Sequence, residues 1–125
     1  MTEKRKDRIC ALLKGIETGD EAAVAVVHPE RYIQHNPRLR DGLPALRSAL
    51  TDPAANNGVT IRYDRVHRLL AEGNFVLSVC EGDLSGLHVS FYDLYRMADG
   101  KIVEHWDTTE AIPPRSEWKN DNRKF

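Results

Sequence analysis

Cysteine is scarce in this chain, which has only Cys10 and Cys80 among its 125 residues. Two cysteines so far apart in sequence have neither the spacing of a zinc site nor that of a redox motif. A disulfide framework and a cysteine-based metal centre are therefore not expected. We predict two reduced, partly buried thiols, with Cys10 on a helix and Cys80 in an apolar strand.

Long apolar runs and an excess of one charge are also lacking. No apolar run approaches the length needed to cross a bilayer, and the charged residues 1–7 are not followed by the apolar core of a signal peptide. We therefore expect a cytoplasmic protein without a membrane partner. The 18 basic and 19 acidic residues give a net charge of -1, which provides no electrostatic basis for binding nucleic acid.

Glycine-rich phosphate loops, nucleophile elbows and dinucleotide fingerprints are absent from the sequence as well. A nucleotide-dependent reaction is therefore not expected, and we predict that the protein uses no cofactor. Hydrophobic residues make up 41% and charged residues 30% of the chain, a balance typical of soluble globular proteins. We predict one domain over residues 1–112 and a polar tail over residues 113–125, in which Trp118 and Phe125 could pin the tail to the body or to a second subunit.

The first half of the chain has the periodicity of helices. Apolar residues recur at helical spacing and predict a first helix from about Glu3 to Thr18. Asp20 is suited to cap a short second helix over residues 21–26, and a third is predicted over residues 41–50. Between these, residues 32–37 end in a proline, so their last part must be extended.

The second half has the alternation of strands. The segment 59–70 changes phase near Asp64 and Arg65, which predicts a β-bulge and a bend. Further strands follow, and Asp99-Gly100 predicts a tight hairpin between the last two. Because helices come first and strands last, we predict an α+β fold with N-terminal helices packed on one face of an antiparallel sheet.

The final hairpin gathers polar side chains that suit acid/base chemistry. Alternation along a strand places His105 and Asp107 on one face, and places Asp93 on a face shared with Phe91 and Tyr95. A histidine two residues before an aspartate is a ready acid/base pair. If these faces coincide, the hairpin presents two carboxylates and one imidazole to the same space.

Two blocks of sequence carry a resemblance to a known family. Residues 32–37, Tyr-Ile-Gln-His-Asn-Pro, and residues 99–107, Asp-Gly-Lys-Ile-Val-Glu-His-Trp-Asp, resemble the SnoaL-like polyketide cyclases of the NTF2-like superfamily. The resemblance implies a strongly bent antiparallel sheet wrapped as a cone around an enclosed pocket, with homodimers formed through the sheet. It also implies that Asp107 occupies the position of a proposed acid/base aspartate and that Asp93 lies among the pocket residues.

These arguments select a set of candidate site residues. Asp107 and His105 are predicted to be catalytic, and the predicted substrate-binding residues are Tyr32, His35, Asp93, Tyr95 and Phe91. Asp107 could instead be a structural carboxylate paired with an arginine, and His105 could orient Asp107 rather than react. Gln34 and Asn36 are better explained as capping residues of a local turn. No short-spacing motif supports a metal set of His35, His105 and Asp107.

The predicted function is cofactor-free acid/base chemistry on a small apolar carbonyl compound, by aldol cyclisation or isomerisation. Asp107 would move a proton next to the carbonyl, while Tyr32 and His35 would donate hydrogen bonds to the enolate oxygen. One alternative is a non-catalytic ligand-binding or dimerisation module. Another is epoxide opening by water activated between Asp93 and Asp107, which requires a bridging arginine that the sequence does not identify.

Overall fold

The computed structural model describes residues 2–18, 25–37, 41–44, 46 and 60–125. Its regular elements are helix α1 (Thr2–Thr18) and strands β1 (Ile33–Gln34), β2 (Ile61–Glu72), β3 (Phe75–Leu84), β4 (Leu87–Ala98) and β5 (Lys101–Ala111). The strands form one sheet in the order β1-β5-β4-β3-β2. The four long strands pair antiparallel, whereas β1 runs parallel to β5. The α+β prediction is confirmed, and among the described residues the parallel pairing lies at the β5 edge, in β1 and in a single bridge between Val27 and Ile102.

Helix α1 packs on the sheet through an apolar stripe. Ile9, Leu12 and Leu13 are at most 3% exposed, as the three- and four-residue spacing of one helix face requires. They pack in one cluster with inward-facing sheet residues that include Phe91 and Tyr95. The core therefore lies between α1 and the sheet face that also carries the predicted site.

The turn chemistry expected from the sequence is confirmed in the last hairpin. Asp99 and Gly100 both have positive φ angles, 54° and 75°, as the tight turn between antiparallel strands requires. This turn joins β4 to β5 with a register that pairs Ala98 with Lys101. Two residues of suitable conformation thus fix which side chains of the two strands face each other next to the turn.

Three register shifts interrupt the regular pairing of the described strands. The register of β2 against β3 shifts between Tyr63 and Arg65 and again between Val66 and Arg68, so the predicted bulge near Asp64 and Arg65 is confirmed. In β5, Val103 is the extra residue, because Arg96 pairs with Glu104 whereas Met97 pairs with Ile102. Bulges of this kind bend strands and re-aim their side chains.

Parts of the predicted helices lie outside the described residues. Of the second helix, residues 25 and 26 form a 3₁₀ turn and residues 21–24 lie outside. Of the third, residues 43, 44 and 46 are helical, and residues 45 and 47–50 lie outside. None of the described helices combines the length and hydrophobicity needed to span a bilayer.

The C-terminal tail folds back onto the body of the chain. After a 3₁₀ turn over Arg115–Glu117, Lys124 Nζ lies 2.7 Å from a carboxylate oxygen of Glu110. The Phe125 ring stacks on His67 with centroids 4.0 Å apart. Of the two predicted aromatic anchors, Phe125 contacts β2, while Trp118 Nε1 donates locally to the carbonyl of Pro113 at 2.9 Å.

Candidate functional site

The pairing of β4 with β5 brings the predicted acid/base residues together. Asp93 lies opposite Asp107, and Tyr95 lies opposite His105. Residues directly opposite each other on antiparallel strands have neighbouring side chains on the same face. The two carboxylates and the imidazole therefore share one side of the sheet, which is the side that carries the core.

Asp93 and His105 form a buried hydrogen-bonded pair. His105 Nε2 lies 2.8 Å from Asp93 Oδ1. His105 is 8% exposed and Asp93 is 2% exposed. The Tyr63 hydroxyl donates to the other oxygen, Asp93 Oδ2, at 3.3 Å. Burial raises the pKa of the Asp93 carboxyl, and the hydrogen bond from His105 opposes that rise.

Strand β1 and the residues after it supply two amide side chains to the same cluster. The Nδ1 atom of His105 lies 2.9 Å from Gln34 Oε1, and Asn36 Nδ2 donates to Asp107 Oδ2 at 3.0 Å. Asp41 holds the strand in place, because its Oδ1 accepts the backbone N–H of Gln34 at 2.8 Å. Local turn capping, which the sequence favours for Gln34 and Asn36, is therefore not their whole role, because both side chains reach across to β5.

His35 is not brought to this cluster. Its Nε2 lies 2.7 Å from Glu104 Oε2, and its ring stacks on Trp106 at 4.7 Å. Because side chains alternate along an extended segment, His35 faces opposite to Gln34 and Asn36. The metal set of His35, His105 and Asp107 is therefore not formed.

Aromatic side chains surround the buried pair. Tyr95 stacks on His105 with ring centroids 4.9 Å apart. The Phe91 and Tyr63 rings are also in contact, with centroids 4.6 Å apart. Burial first, and the nearby charge of Asp93 second, raise the pKa of Tyr32, Tyr63 and Tyr95. These three hydroxyl groups therefore stay protonated and can donate hydrogen bonds at any physiological pH.

Tyr32 lies at the edge of the cluster with a defined hydrogen-bond direction. It is 7% exposed, and its hydroxyl oxygen accepts from Gln34 Nε2 at 3.0 Å. An oxygen that accepts in this way keeps its own proton for another partner. Tyr32 thus lies beside the residues of the β1 segment that contact His105 and Asp107.

Asp93, His105 and Asp107 could also hold a metal ion. One ligand atom from each lies within 4.8 Å of the others, a spread that one divalent cation could close by small side-chain movements. The same arrangement is what proton transfer between carboxylates and an imidazole requires. Geometry alone therefore allows both kinds of chemistry at these residues.

Two cavities in the described part of the chain lie away from the cluster. One of about 310 Å³ lies along the tail beside Trp118. Another, of about 580 Å³, lies between Arg8 and the turn at Gly100. Neither includes Asp93, His105 or Asp107, so an enclosed pocket bordered by these residues stays a prediction.

Comparison with known proteins supplies the family. The SnoaL-like domain profile matches residues 9–105, and no curated protein matches the chain.

Among solved structures, a Xanthomonas campestris protein of unknown function with a cystatin-like fold is 26% identical, with a TM-score of 0.66 over 84% of this chain and 89% of that one. IdmH of Streptomyces antibioticus, a candidate polyketide cyclase, is 18% identical, with a TM-score of 0.62 over 85% and 91%. An LEH-like epoxide hydrolase of M. tuberculosis is 21% identical, with a TM-score of 0.67 over 86% and 84%.

The profile match includes most of the helix, strands β1 to β4 and the first half of β5 as far as His105. The solved structures share the α+β architecture over more than four-fifths of the chain. NTF2-like proteins are among these structural neighbours. Fold and sequence thus agree, and the chain belongs to the SnoaL-like domain family.

Proposed function

We propose that the protein catalyses cofactor-free acid/base chemistry on a small apolar carbonyl compound, by aldol cyclisation or isomerisation. The observation that carries this proposal is the cluster of Asp93, His105 and Asp107, in which one polar atom from each residue lies within 4.8 Å of the others. Neutral side chains, rather than cations, supply the other hydrogen bonds to the cluster from the described residues. Such surroundings leave the carboxylates and imidazole able to exchange protons.

Asp107 is the proposed base. It is half-buried, and its carboxylate accepts a hydrogen bond from the neutral amide of Asn36. Within the described part of the chain, no ion pair competes for this carboxylate. In the proposed first step, an Asp107 oxygen takes the proton from the carbon next to the carbonyl. The electrons of that C–H bond then form the enolate.

Tyr32 is the proposed donor to the enolate oxygen. Its hydroxyl oxygen accepts from Gln34 Nε2, which leaves the hydroxyl proton for a ligand oxygen. Donors held in place before charge develops are an effective way to lower such barriers. His35, which the sequence also predicts to be a donor, lies on the opposite face of the sheet against Glu104 and Trp106 and has no part in this proposal.

The pair of Asp93 and His105 is the proposed proton donor of the second step. His105 Nε2 and Asp93 Oδ1 lie 2.8 Å apart and in this proposal share a proton, and burial raises the pKa of the Asp93 carboxyl. In ring closure the enolate carbon attacks a second carbonyl, and the pair protonates the resulting alkoxide. In isomerisation the same proton goes to another carbon of the enolate system. Phe91 and Tyr95 would provide the apolar wall against the ligand.

Epoxide opening has less support. The M. tuberculosis neighbour is an LEH-like epoxide hydrolase, but a likeness at this level of identity concerns the fold. The alternative requires an arginine between the two carboxylates, whereas Asp93 is hydrogen-bonded to the His105 imidazole and the Tyr63 hydroxyl. The rival hypothesis is a ligand-binding module without catalysis, and the following test distinguishes it from an enzyme.

Hydrogen–deuterium exchange tests the first step without knowledge of the final product. A panel of aromatic ketones and 1,3-diketones is incubated with the protein in D₂O, and exchange next to the carbonyl is followed by NMR. We expect the wild type to accelerate exchange and Asp107→Asn to reduce the acceleration by about 100-fold or more, because the amide keeps the shape but cannot accept a proton. Chelator should leave the rate unchanged.

The matched control is Glu110→Gln, which neutralises an exposed carboxylate on the same strand and should exchange at the wild-type rate. Wild-type exchange in Asp107→Asn would contradict the role given to Asp107. Binding of ketones without any exchange would favour the ligand-binding module. Loss of exchange on addition of chelator would replace the proton mechanism with a metal-dependent one.

A further inference from the structure

The orientation of the Gln34 side-chain amide is fixed by its neighbours. The backbone N–H of Asn36 donates to Gln34 Oε1 at 3.0 Å, while Gln34 Nε2 donates to the Tyr32 hydroxyl at 3.0 Å. A backbone N–H can only donate, so the oxygen of the amide must face Asn36. Rotating the amide by 180° would place two donors against each other.

This fixed oxygen determines which nitrogen of His105 carries a hydrogen. Gln34 Oε1 lies 2.9 Å from His105 Nδ1, and a carbonyl oxygen cannot donate. A hydrogen bond at this distance therefore requires a proton on Nδ1. The other ring nitrogen, Nε2, lies 2.8 Å from Asp93 Oδ1 and is left to share a second proton with that carboxyl group.

The contacts of the His105 ring leave it little freedom to rotate. Tyr95 stacks on one face of His105 at 4.9 Å, and the ring is anchored at both nitrogens. A backbone hydrogen bond also joins the β1 segment to β5 at this position, because the His35 N–H donates to the carbonyl of His105 at 3.0 Å. Gln34 and His105 are also register partners in the parallel pairing of β1 with β5.

We propose that Gln34 is a positioning residue that holds a proton on Nδ1 of His105 and thereby makes Nε2 the nitrogen that exchanges a proton with Asp93. The catalytic consequence rests on the proposed function, whereas the position of the proton does not. The arrangement resembles a relay in which a neutral amide, rather than a carboxylate, orients the imidazole.

Nitrogen NMR of protein labelled with ¹⁵N-histidine tests the proposal without any ligand. The His105 signals are assigned by their loss in His105→Asn, and spectra are recorded at neutral pH. We expect Nδ1 to carry a proton in the wild type. Gln34→Glu keeps an acceptor oxygen at the same place and should preserve that proton. Gln34→Met keeps the length of the side chain without a carbonyl acceptor, so Nδ1 should lose its proton and Nε2–H should donate to Asp93.

The control variant is Ile33→Met, which changes the neighbouring residue of β1, 44% exposed, without altering the acceptor. Its His105 spectrum should match that of the wild type. An unprotonated Nδ1 in the wild type or in Gln34→Glu would overturn the proposal. A protonated Nδ1 in folded Gln34→Met would overturn it as well. Should Gln34→Met fail to fold, the wild type and Gln34→Glu still decide between the two outcomes.

Kinetics separate this inference from the proposed function. Where ketone exchange is detected, Gln34→Met should lower the rate by about 100-fold, in the range expected for a misdirected acid/base group. Absence of exchange in the wild type would defeat the proposed function while leaving the spectroscopic result on Gln34 in force. Exchange at the wild-type rate in a Gln34→Met protein with an unprotonated Nδ1 would show that the proton position has no catalytic role.

Discussion

The pKa values of buried and partnered carboxyl groups shift in opposite directions on the two faces of the sheet. On the core face, burial raises the pKa of Asp93. On the other face, hydrogen bonds from His67 and then His88 lower the pKa of Glu81, and hydrogen bonds from His35 and then Arg96 lower the pKa of Glu104. Partners thus lower the pKa of these two carboxyl groups, whereas burial raises the pKa of Asp93. A carboxyl group that holds its proton more tightly, beside an imidazole, suits the proton donor of the proposed second step.

The raised pKa of Asp93 makes its contribution to stability depend on pH in a defined direction. The native carboxyl keeps its proton above its ordinary value of 3.8, where the unfolded one has lost it. Its contribution is fully present below that value and is lost as pH rises through the raised native pKa. From about pH 4 upward, the free energy of unfolding of the wild type should therefore fall relative to that of Asp93→Asn.

Urea unfolding of the two proteins over a series of pH values measures this difference. Asp64→Asn provides a control of opposite sign, because a hydrogen bond from Arg62 lowers the pKa of the exposed Asp64. The wild type should lose stability relative to that variant as pH falls. A wild-type advantage over Asp93→Asn that grows with rising pH would contradict the assignment.

Strand β1 has only two residues, yet it determines how the site is completed. Its parallel pairing sets Gln34 beside His105, and the segment continues so that Asn36 reaches Asp107. The alternation that sends these amides inward sends His35 to Trp106 on the other face. A shift of one residue would exchange the two sets of side chains.

The hairpin of β4 and β5 could be predicted from the sequence because its determinants are local. The Asp99-Gly100 turn sets the pairing next to the turn, and the period of two places His105 and Asp107 on one face. That this face is also the face of Asp93 depends on the extra residue Val103 of β5, which the sequence does not predict. The position of β1 could not be predicted in this way. Its sequence does not reveal which edge it joins or in which phase, and that phase alone decides between Gln34 and His35.

The contact of Tyr63 with Asp93 could not be predicted from the sequence for a related reason. Its strand alternates as expected, but its hydroxyl bonds to Asp93 on β4, across the intervening strand β3. The residue opposite Tyr63 on β3 is Gly82, which has no side chain to block this reach. Only the pairing of distant strands reveals that the glycine and the tyrosine act together.

Gly82 should therefore tolerate no side chain. A Cβ atom there would overlap the carbonyl oxygen of Arg62 and lie 2.9 Å from Cε2 of Phe91. The carbonyl belongs to the bulged strand and cannot move without disturbing its pairing. We expect Gly82→Ala to lower the free energy of unfolding by about 3 kcal/mol.

Chemical denaturation measures that loss, with Gly73→Ala as the comparison. Gly73 has a φ of +57° at the β2–β3 turn, and no atom of the described residues would lie within 4 Å of a Cβ added there. Only backbone strain of about 1 kcal/mol therefore applies to Gly73→Ala. Equal losses in the two variants would mean that the contact with Arg62 and Phe91 is relieved at little cost.

The outer face of the sheet carries an apolar row that crosses four strands. Leu70, Leu77, Leu94 and Trp106 follow one another as register partners. Leu70 is 57% exposed and the adjacent Phe75 39% exposed. The Phe125 ring of the C-terminal tail covers His67 rather than this row. Contiguous exposed apolar surface of this kind is typical of protein interfaces.

We expect a second copy of the chain to cover this row in a two-fold dimer, as the sequence resemblance predicts. Leu70→Lys should weaken the dimer by on the order of 100-fold, because the symmetry places two buried charges in one interface. Sedimentation velocity at micromolar concentration measures the change. Leu87→Lys is the matched control, since Leu87 is 51% exposed but pairs with Leu84 at the far turn. A monomeric wild type, or equal dissociation in both variants, would place the interface elsewhere or remove it.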